Sequence, residues 1–153
     1  TGALNFDIRV DAKENVYIIE MAPRNGGDLN PNAIKYATGV DLIEYTIKAA
    51  LGEDCSDLKM IDPKGYWATY VLDSPNNGVL KAIEIEEEFR KNNIVEFDSV
   101  VKKGERIYAL SGSHEKIGIM ILKFASMNEM ENKMANIGDL VKVIAEESTV
   151  INI

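Results

Sequence analysis

The 153-residue sequence contains very little cysteine and histidine and has no long apolar run. Its single cysteine, Cys55, excludes an intramolecular disulfide, so we expect a reducing compartment and a cytoplasmic location. One cysteine and one histidine, His114, also exclude a zinc site built from several such ligands. No stretch reaches the roughly 18 consecutive apolar residues that indicate a transmembrane helix.

Basic residues are also scarce relative to acidic ones. The sequence has 17 Lys and Arg against 25 Asp and Glu, which gives a formal net charge of −8. Proteins that bind nucleic acid through its phosphates need a basic excess, and anionic membranes attract basic surfaces. We therefore expect neither a nucleic acid nor a membrane as a partner. The remaining composition, 46% hydrophobic and 27% charged residues, is that of a globular protein.

The first part of the chain combines strands and helices. Alternating apolar residues over 4–10 and an apolar run over 16–21 predict two strands joined by a polar turn. Asn30 is predicted to cap a short helix that ends near Gly39. Asp41 is predicted to cap a second helix, which is largely buried and ends before Gly52. Residues 1–52 therefore form one predicted domain.

The rest of the chain is predicted to be mostly β. Residues 53–63 are an acidic linker, and 64–153 form the second domain. Strands are predicted over 66–72, 79–85, 94–101, 106–110, 117–124 and 140–146, with helices over 86–91 and 126–135. The predicted fold class is α+β.

Two carboxylates on the predicted hairpin, Asp7 and Glu20, suggest a metal site. With residues 12–15 as the loop, Asp11 faces Val16 and Asp7 lies opposite Glu20, about 5 Å away. Such a pair repels unless a cation neutralises it, and Mg²⁺ takes one or two carboxylates together with phosphates and water. The alternative is a hairpin with solvated acids that pair with Arg9 or Lys13. A register slip of one residue would also turn Asp7 to the other face.

A Pro-Arg-Asn-Gly-Gly segment follows the second strand at residues 23–27. Glycines permit a close approach of the backbone to a ligand, and Arg24 offers a planar fork for a carboxylate or phosphate. A surface salt bridge is the alternative role for Arg24. Together, the acids and this loop suggest a magnesium–phosphate site.

The same region resembles the ATP-grasp superfamily, which includes biotin carboxylase and the large subunit of carbamoyl phosphate synthetase. The resemblance covers about the first 52 residues and lies in Ala3-Leu-Asn-Phe-Asp7, Tyr17-Ile-Ile-Glu20-Met-Ala-Pro-Arg24, Ala37-Thr-Gly-Val-Asp41-Leu-Ile and Ala50-Leu-Gly52. It implies the C-terminal part of an ATP-grasp domain.

The resemblance also implies the roles of the site residues. Asp7 and Glu20 would bind the Mg²⁺ (or Mn²⁺) ions that bridge the phosphates of ATP. Arg24 would be the catalytic residue that contacts the acceptor substrate or an acyl-phosphate. The cofactor pocket would be lined further by Asn25, Gly26 and Gly27. Many members have an asparagine ligand two residues after the second acid, where this chain has Ala22.

Residues 64–153 resemble, more loosely, the barrel-like β domain with one or two helices that follows the ATP-grasp domain in biotin-carboxylase-like members. Biotin carboxylases have a bicarbonate-binding arginine in the strand near residues 95–100, where this chain has Glu96, Phe97 and Asp98. The resemblance therefore favours a ligase that activates a carboxylate as an acyl-phosphate with MgATP and joins it to an amine. A carboxylase or carbamoyl-phosphate-synthetase-like enzyme and a non-enzymatic β-rich binding module are the alternatives.

Further expectations concern partners. In this superfamily the glycine-rich loop and the nucleotide-binding lysines lie N-terminal to the matched region. The chain starts at Thr1 without a methionine and enters a strand almost at once. We therefore expect the missing N-terminal part of the same polypeptide to complete the ATP site, and the fragment alone to be inactive. A carboxylate and an amine are the expected small-molecule substrates. The sequence does not decide the oligomeric state, and a homodimer is one possibility.

Overall fold

The computed structural model describes residues 2–112 and 114–146. The chain divides between Lys64 and Gly65 into two compact units, which are described separately. No helix among the described residues has the length and apolar character needed to cross a membrane.

The first unit contains one hairpin and two helices. Strands β1 (Asn5–Val10) and β2 (Val16–Ala22) pair antiparallel and are followed by α1 (Asn30–Thr38) and α2 (Leu42–Ala50). Asp41 caps helix α2 as predicted, because its carboxylate accepts hydrogen bonds from the backbone N–H groups of Ile43 and Glu44 at 3.1 and 3.0 Å. Such caps satisfy N–H groups that have no partner within the helix.

Two predictions for the helices of this unit are wrong. The residue that caps α1 is Leu29, with a left-handed φ of 58°, and Asn30 is already helical. Helix α2, predicted to be largely buried, has no buried residue: Ile47 is 56% exposed, and Leu51, which caps its C-terminus, is 70% exposed. In residues 2–64 only Pro31 and Ala37 are buried, so the unit has almost no core of its own.

The second unit contains two three-stranded antiparallel sheets. One has the order β3-β7-β5 and the other β6-β4-β8. The strands are β3 (Tyr66–Leu72), β4 (Gly78–Ile85), β5 (Ile94–Ser99), β6 (Arg106–Ile107), β7 (Gly118–Phe124) and β8 (Val141–Glu146). All six were predicted, although β5 and β6 end earlier than expected. The strands described here form no closed barrel, which corrects the expected barrel-like domain.

Three helices accompany these sheets: α3 (Glu87–Asn93), α4 (Met127–Ala135) and α5 (Ile137–Leu140). The sequence predicted α3 and α4 but not the single turn of α5. Ser126 caps α4, as its hydroxyl accepts from the backbone N–H of Glu129 at 3.1 Å.

The core of the second unit is built around the central strand β7. Residues 118–122 of this strand are all buried, because β7 lies between two other strands and its faces are covered. Gly118 is required by this packing, since a Cβ there would lie 2.7 Å from the ring of Phe97 and 2.8 Å from the carbonyl oxygen of Asp98. The surrounding core comprises Leu72, Leu80, Phe89, Ile107, Ile117, Met120, Leu122, Phe124 and Val141.

A buried polar cluster joins α3, α4 and β7. Asn93 is only 2% exposed, and its amide donates to the carbonyl oxygen of Lys123 at 2.9 Å and to Glu129 at 3.2 Å. Lys133 donates to Asn93 and to Glu129, both at 2.7 Å. Every polar atom of the Asn93 side chain is therefore satisfied, as burial requires.

Candidate functional site

The turn of the β1–β2 hairpin is one residue longer than predicted. Val10 pairs with Val16, so the predicted pairing of Asp11 with Val16 is wrong. Asp11 instead closes the loop, because its Oδ1 accepts from the backbone N–H groups of Lys13 and Asn15 at 2.8 and 2.9 Å. Hydrogen bonds from the side chain and backbone of Asn15 lower the pKa of Asp11 below its ordinary value.

The strands shift register between Asp7 and Ile8. Ile8 pairs with Ile18 and Asp7 with Glu20, which leaves Ile19 as an extra residue on β2. An extra residue of this kind is a β-bulge, and it turns the following side chain to the opposite face. The predicted pairing of Asp7 with Glu20 is confirmed, but it arises through this bulge.

Both acids are exposed, and among the described residues neither carboxylate takes part in an ion pair or a hydrogen bond. The alternative in which they pair with Arg9 or Lys13 is therefore not observed in this part of the chain. No group of three or more Asp, Glu, His or Cys that could hold a metal is found among the described residues. Within the described residues, the ligands available to a cation at this hairpin are therefore two opposed carboxylates.

Arg24 lies in the exposed loop that follows β2. Its backbone N–H donates to the carbonyl oxygen of Ala22, and its guanidinium Nη1 donates to the carbonyl oxygen of Asn25, both at 2.9 Å. These contacts belong to its own loop and not to the acids. The guanidinium makes no other hydrogen bond or ion pair with the residues that the structure describes, so its remaining N–H groups can bind a ligand.

Asn25 connects this loop to helix α2. Its side-chain amide donates to the hydroxyl oxygen of Thr46 at 2.9 Å, and that hydroxyl donates to the carbonyl oxygen of Leu42 at 2.7 Å. Thr46 is not among the site residues predicted from the sequence. A threonine inside a helix is a weak signal, since its hydroxyl usually binds the carbonyl one turn earlier.

The two glycines of the loop differ in their surroundings. A Cβ on Gly26 would lie 3.2 Å from Oδ1 of Asn5 and 3.3 Å from the side chain of Asn30, whereas Gly27 has open space. Gly26 therefore lets the loop pass closely between the start of β1 and the start of α1. A cavity of about 250 Å³ lies beside the loop, lined in part by Asn25, Thr46 and Cys55.

Solved enzyme structures share this fold. L-amino acid ligase from Bacillus licheniformis superposes with a TM-score of 0.80 at 20% identity, over 95% of this chain and 36% of that one. Phosphoribosylglycinamide synthetase from Anaerococcus prevotii superposes with a TM-score of 0.72 at 21% identity, over 95% of this chain and 37% of that one. For the biotin carboxylase domain of Hydrogenobacter thermophilus 2-oxoglutarate carboxylase the TM-score is 0.64 at 20% identity, over 94% of this chain and 32% of that one.

No model of a known protein family matches the sequence, and no curated protein sequence matches it. The chain spans about a third of the length of the enzyme structures it resembles. The predicted resemblance is confirmed for the fold: this chain has the fold of a part of the ATP-grasp enzymes.

Proposed function

We propose that this chain supplies the metal-binding and acceptor-side part of an ATP-dependent ligase. Together with an N-terminal part of the same polypeptide, it would activate a carboxylate as an acyl-phosphate and join it to an amine. The observation that carries the proposal is the pairing of Asp7 with Glu20 on an exposed hairpin. The likeness in fold to an amino acid ligase and a phosphoribosylglycinamide synthetase supports it.

The donor set fits Mg²⁺ or Mn²⁺. Directly opposed carboxylates repel each other, and a hard divalent cation that prefers oxygen ligands removes this repulsion while leaving positions for phosphate and water. The structure of the Hydrogenobacter domain is a complex with MgADP, and we propose the same ligand class here. When bound, the metal would offset negative charge on the phosphates. Asp7 and Glu20 would hold it on two paired strands.

Arg24 is the proposed catalytic residue on the acceptor side. A guanidinium binds a carboxylate or a phosphate through two parallel hydrogen bonds, and one nitrogen of Arg24 is already oriented by the carbonyl oxygen of Asn25. It would bind the acyl-phosphate and stabilise charge as the amine attacks. Asn25, Gly26 and Gly27 would shape the pocket beside it.

The carboxylase alternative has less support. Strand β5 carries Glu96, Phe97 and Asp98 where the resemblance would place an arginine for bicarbonate. A cytoplasmic location is part of the proposal for the whole protein, whereas its oligomeric state, including a homodimer, is left open.

The test uses the full-length gene product, with any upstream region included. ADP and phosphate release are measured with MgATP and a panel of carboxylate–amine pairs, for the wild type and for Glu20→Gln. We expect release that requires both substrates, and a fall of at least about a hundredfold in the variant, the scale seen when a group that stabilises transition-state charge is removed. Glu14→Gln, in the loop of the same hairpin, is the matched control and should retain activity.

The proposal would be overturned if Glu20→Gln released ADP and phosphate as fast as the wild type, or if no carboxylate–amine pair caused any release. Either result would favour the non-enzymatic binding module, in which Asp7→Asn and Glu20→Gln change no activity.

A further inference from the structure

We infer that Thr46 is a positioning residue for the loop that carries Arg24, here called the arginine loop (residues 23–28). The inference rests on the proposed function, since it assigns a task to a residue outside the predicted site. The evidence for this inference is a continuous path of hydrogen bonds from the guanidinium of Arg24 to the backbone of helix α2.

The path has three steps. The guanidinium of Arg24 donates to the carbonyl oxygen of Asn25 at 2.9 Å, and the Asn25 side-chain amide donates to the Thr46 hydroxyl at 2.9 Å. The hydroxyl donates its only proton to the carbonyl oxygen of Leu42 at 2.7 Å. With its proton committed to the helix, the hydroxyl oxygen can only accept from Asn25. The helix backbone thus fixes the orientation of the acceptor that holds the loop.

The arginine loop gains from such an anchor because its last residue and the one that follows it adopt an unfavourable backbone conformation. Asp28 and the following Leu29 both have left-handed φ values, 53° and 58°, which residues other than glycine adopt only at a cost. In the part of the chain that the structure describes, backbone hydrogen bonds at the two ends of the loop are short-range, from Arg24 to Ala22 and from Asn30 to Gly27. By contrast, Asn25 and Thr46 are 21 positions apart in sequence.

The anchor predicts a selective defect. Asp7 and Glu20 lie on the hairpin and do not depend on Thr46, so MgATP binding and formation of the acyl-phosphate should continue without the hydroxyl. Arg24 would be less well placed when the amine attacks. Water would then attack the carbonyl carbon, release inorganic phosphate and regenerate the carboxylic acid. ADP would form without the ligated product.

The experiment compares Thr46→Val, which keeps the shape but removes the hydroxyl, with Thr46→Ser, which restores it. Thr38→Val is the matched control, because the Thr38 hydroxyl makes the same bond to a carbonyl one turn earlier, to Ile34 at 2.7 Å, on helix α1. Two quantities are measured on the full-length protein: hydrogen exchange of the arginine-loop amides, and the ratio of ADP formed to product ligated.

In Thr46→Val we expect faster exchange in the arginine loop and about a tenfold rise in the ratio of ADP to product. A shift of about 1 Å in a positioned group can cost up to about a hundredfold. Thr46→Ser should restore both quantities, and Thr38→Val should alter neither.

Unchanged loop exchange in Thr46→Val would overturn the anchor whether or not the enzyme turns over. Faster exchange with an unchanged ratio would overturn the positioning role and leave a purely structural bond. A wild type that consumes no ATP with any pair would refute the proposed function, and the catalytic task of Thr46 with it. The exchange measurement still decides separately whether the anchor exists.

Discussion

Asp7 and Glu20 face each other across the hairpin because Ile19 is an extra residue between the paired parts of β2. A regular ladder continued from Val10 and Val16 would place Ile19 opposite Asp7 and turn Glu20 to the other face. The bulge therefore converts an unremarkable hairpin into one with two adjacent carboxylates. Like charges in this position destabilise a strand pair, so the arrangement carries a cost that a cation would remove.

The first prediction concerns this cost. In Mg²⁺-free buffer, Glu20→Gln should leave the Tm of the full-length protein unchanged or raise it, because the variant removes the repulsion with Asp7. Added Mg²⁺ or Mn²⁺ should raise the Tm of the wild type, since a ligand that binds only the folded state stabilises it, and should raise that of the variant much less. Thermal unfolding with and without each metal measures both effects.

The matched control for this experiment is Glu14→Gln, at the tip of the same hairpin, which should keep the metal response. A metal response that Glu20→Gln leaves intact would show that the ion binds elsewhere.

The hairpin also shows what the sequence could predict and why. The two strands were expected from local apolar patterns, and both were found. Their register was not readable, because the side chain of Asp11 caps the loop and removes this residue from the strand, and because the run from Val16 to Met21 shows no clear alternation. These two errors, each of one residue, cancel at Asp7 and Glu20.

Burial and distant contacts were the parts that the sequence predicted least well. An apolar period shows which face of an element is hydrophobic but not what covers it. Phe6 and Ile8, which belong to the alternating apolar residues of β1, are 46% and 52% exposed. The bond between Asn25 and Thr46 spans 21 positions. No local pattern specifies such a contact, since the path of the chain between its partners decides it.

The second prediction concerns Gly118 in the central strand of the second unit. Gly118→Ala should lower the free energy of unfolding by about 1–3 kcal/mol, the usual cost of overpacking a core. The added methyl would meet the ring of Phe97 and the carbonyl oxygen of Asp98 at 2.7 and 2.8 Å. Urea unfolding measures the change. Gly138→Ala is the control, because its Cβ would meet open space in α5, and it should be neutral or slightly stabilising.

The third prediction concerns the buried amide of Asn93. Asn93→Ala should lower the free energy of unfolding by about 2–3 kcal/mol, because it leaves the carbonyl of Lys123 and the ammonium of Lys133 without this partner. The adjacent Asn92 is exposed, so Asn92→Ala should change stability by less than about 0.5 kcal/mol. Equal effects of the two substitutions in urea unfolding would refute the structural role of Asn93.

The last prediction concerns pH. The ammonium of Lys133, the backbone N–H of Ala125 and the amide of Asn93 lower the pKa of Glu129 to about 2, from an ordinary value of 4.5. A depressed carboxyl pKa stabilises the fold at pH values above 4.5, and this contribution is lost as the pH falls from 4.5 to about 2. Glu129→Gln removes the charge at every pH.

The difference in Tm between the wild type and Glu129→Gln should therefore be constant from pH 7 to about pH 5 and shrink steadily below it. Glu131→Gln, at an exposed position on the same helix, serves as the control and should show a smaller difference that varies less with pH. Thermal unfolding at half-unit pH intervals gives both curves. If the difference for Glu129 stays constant down to pH 2, the carboxylate does not derive its stabilisation from charge, and the contact with Lys133 acts only as a neutral hydrogen bond.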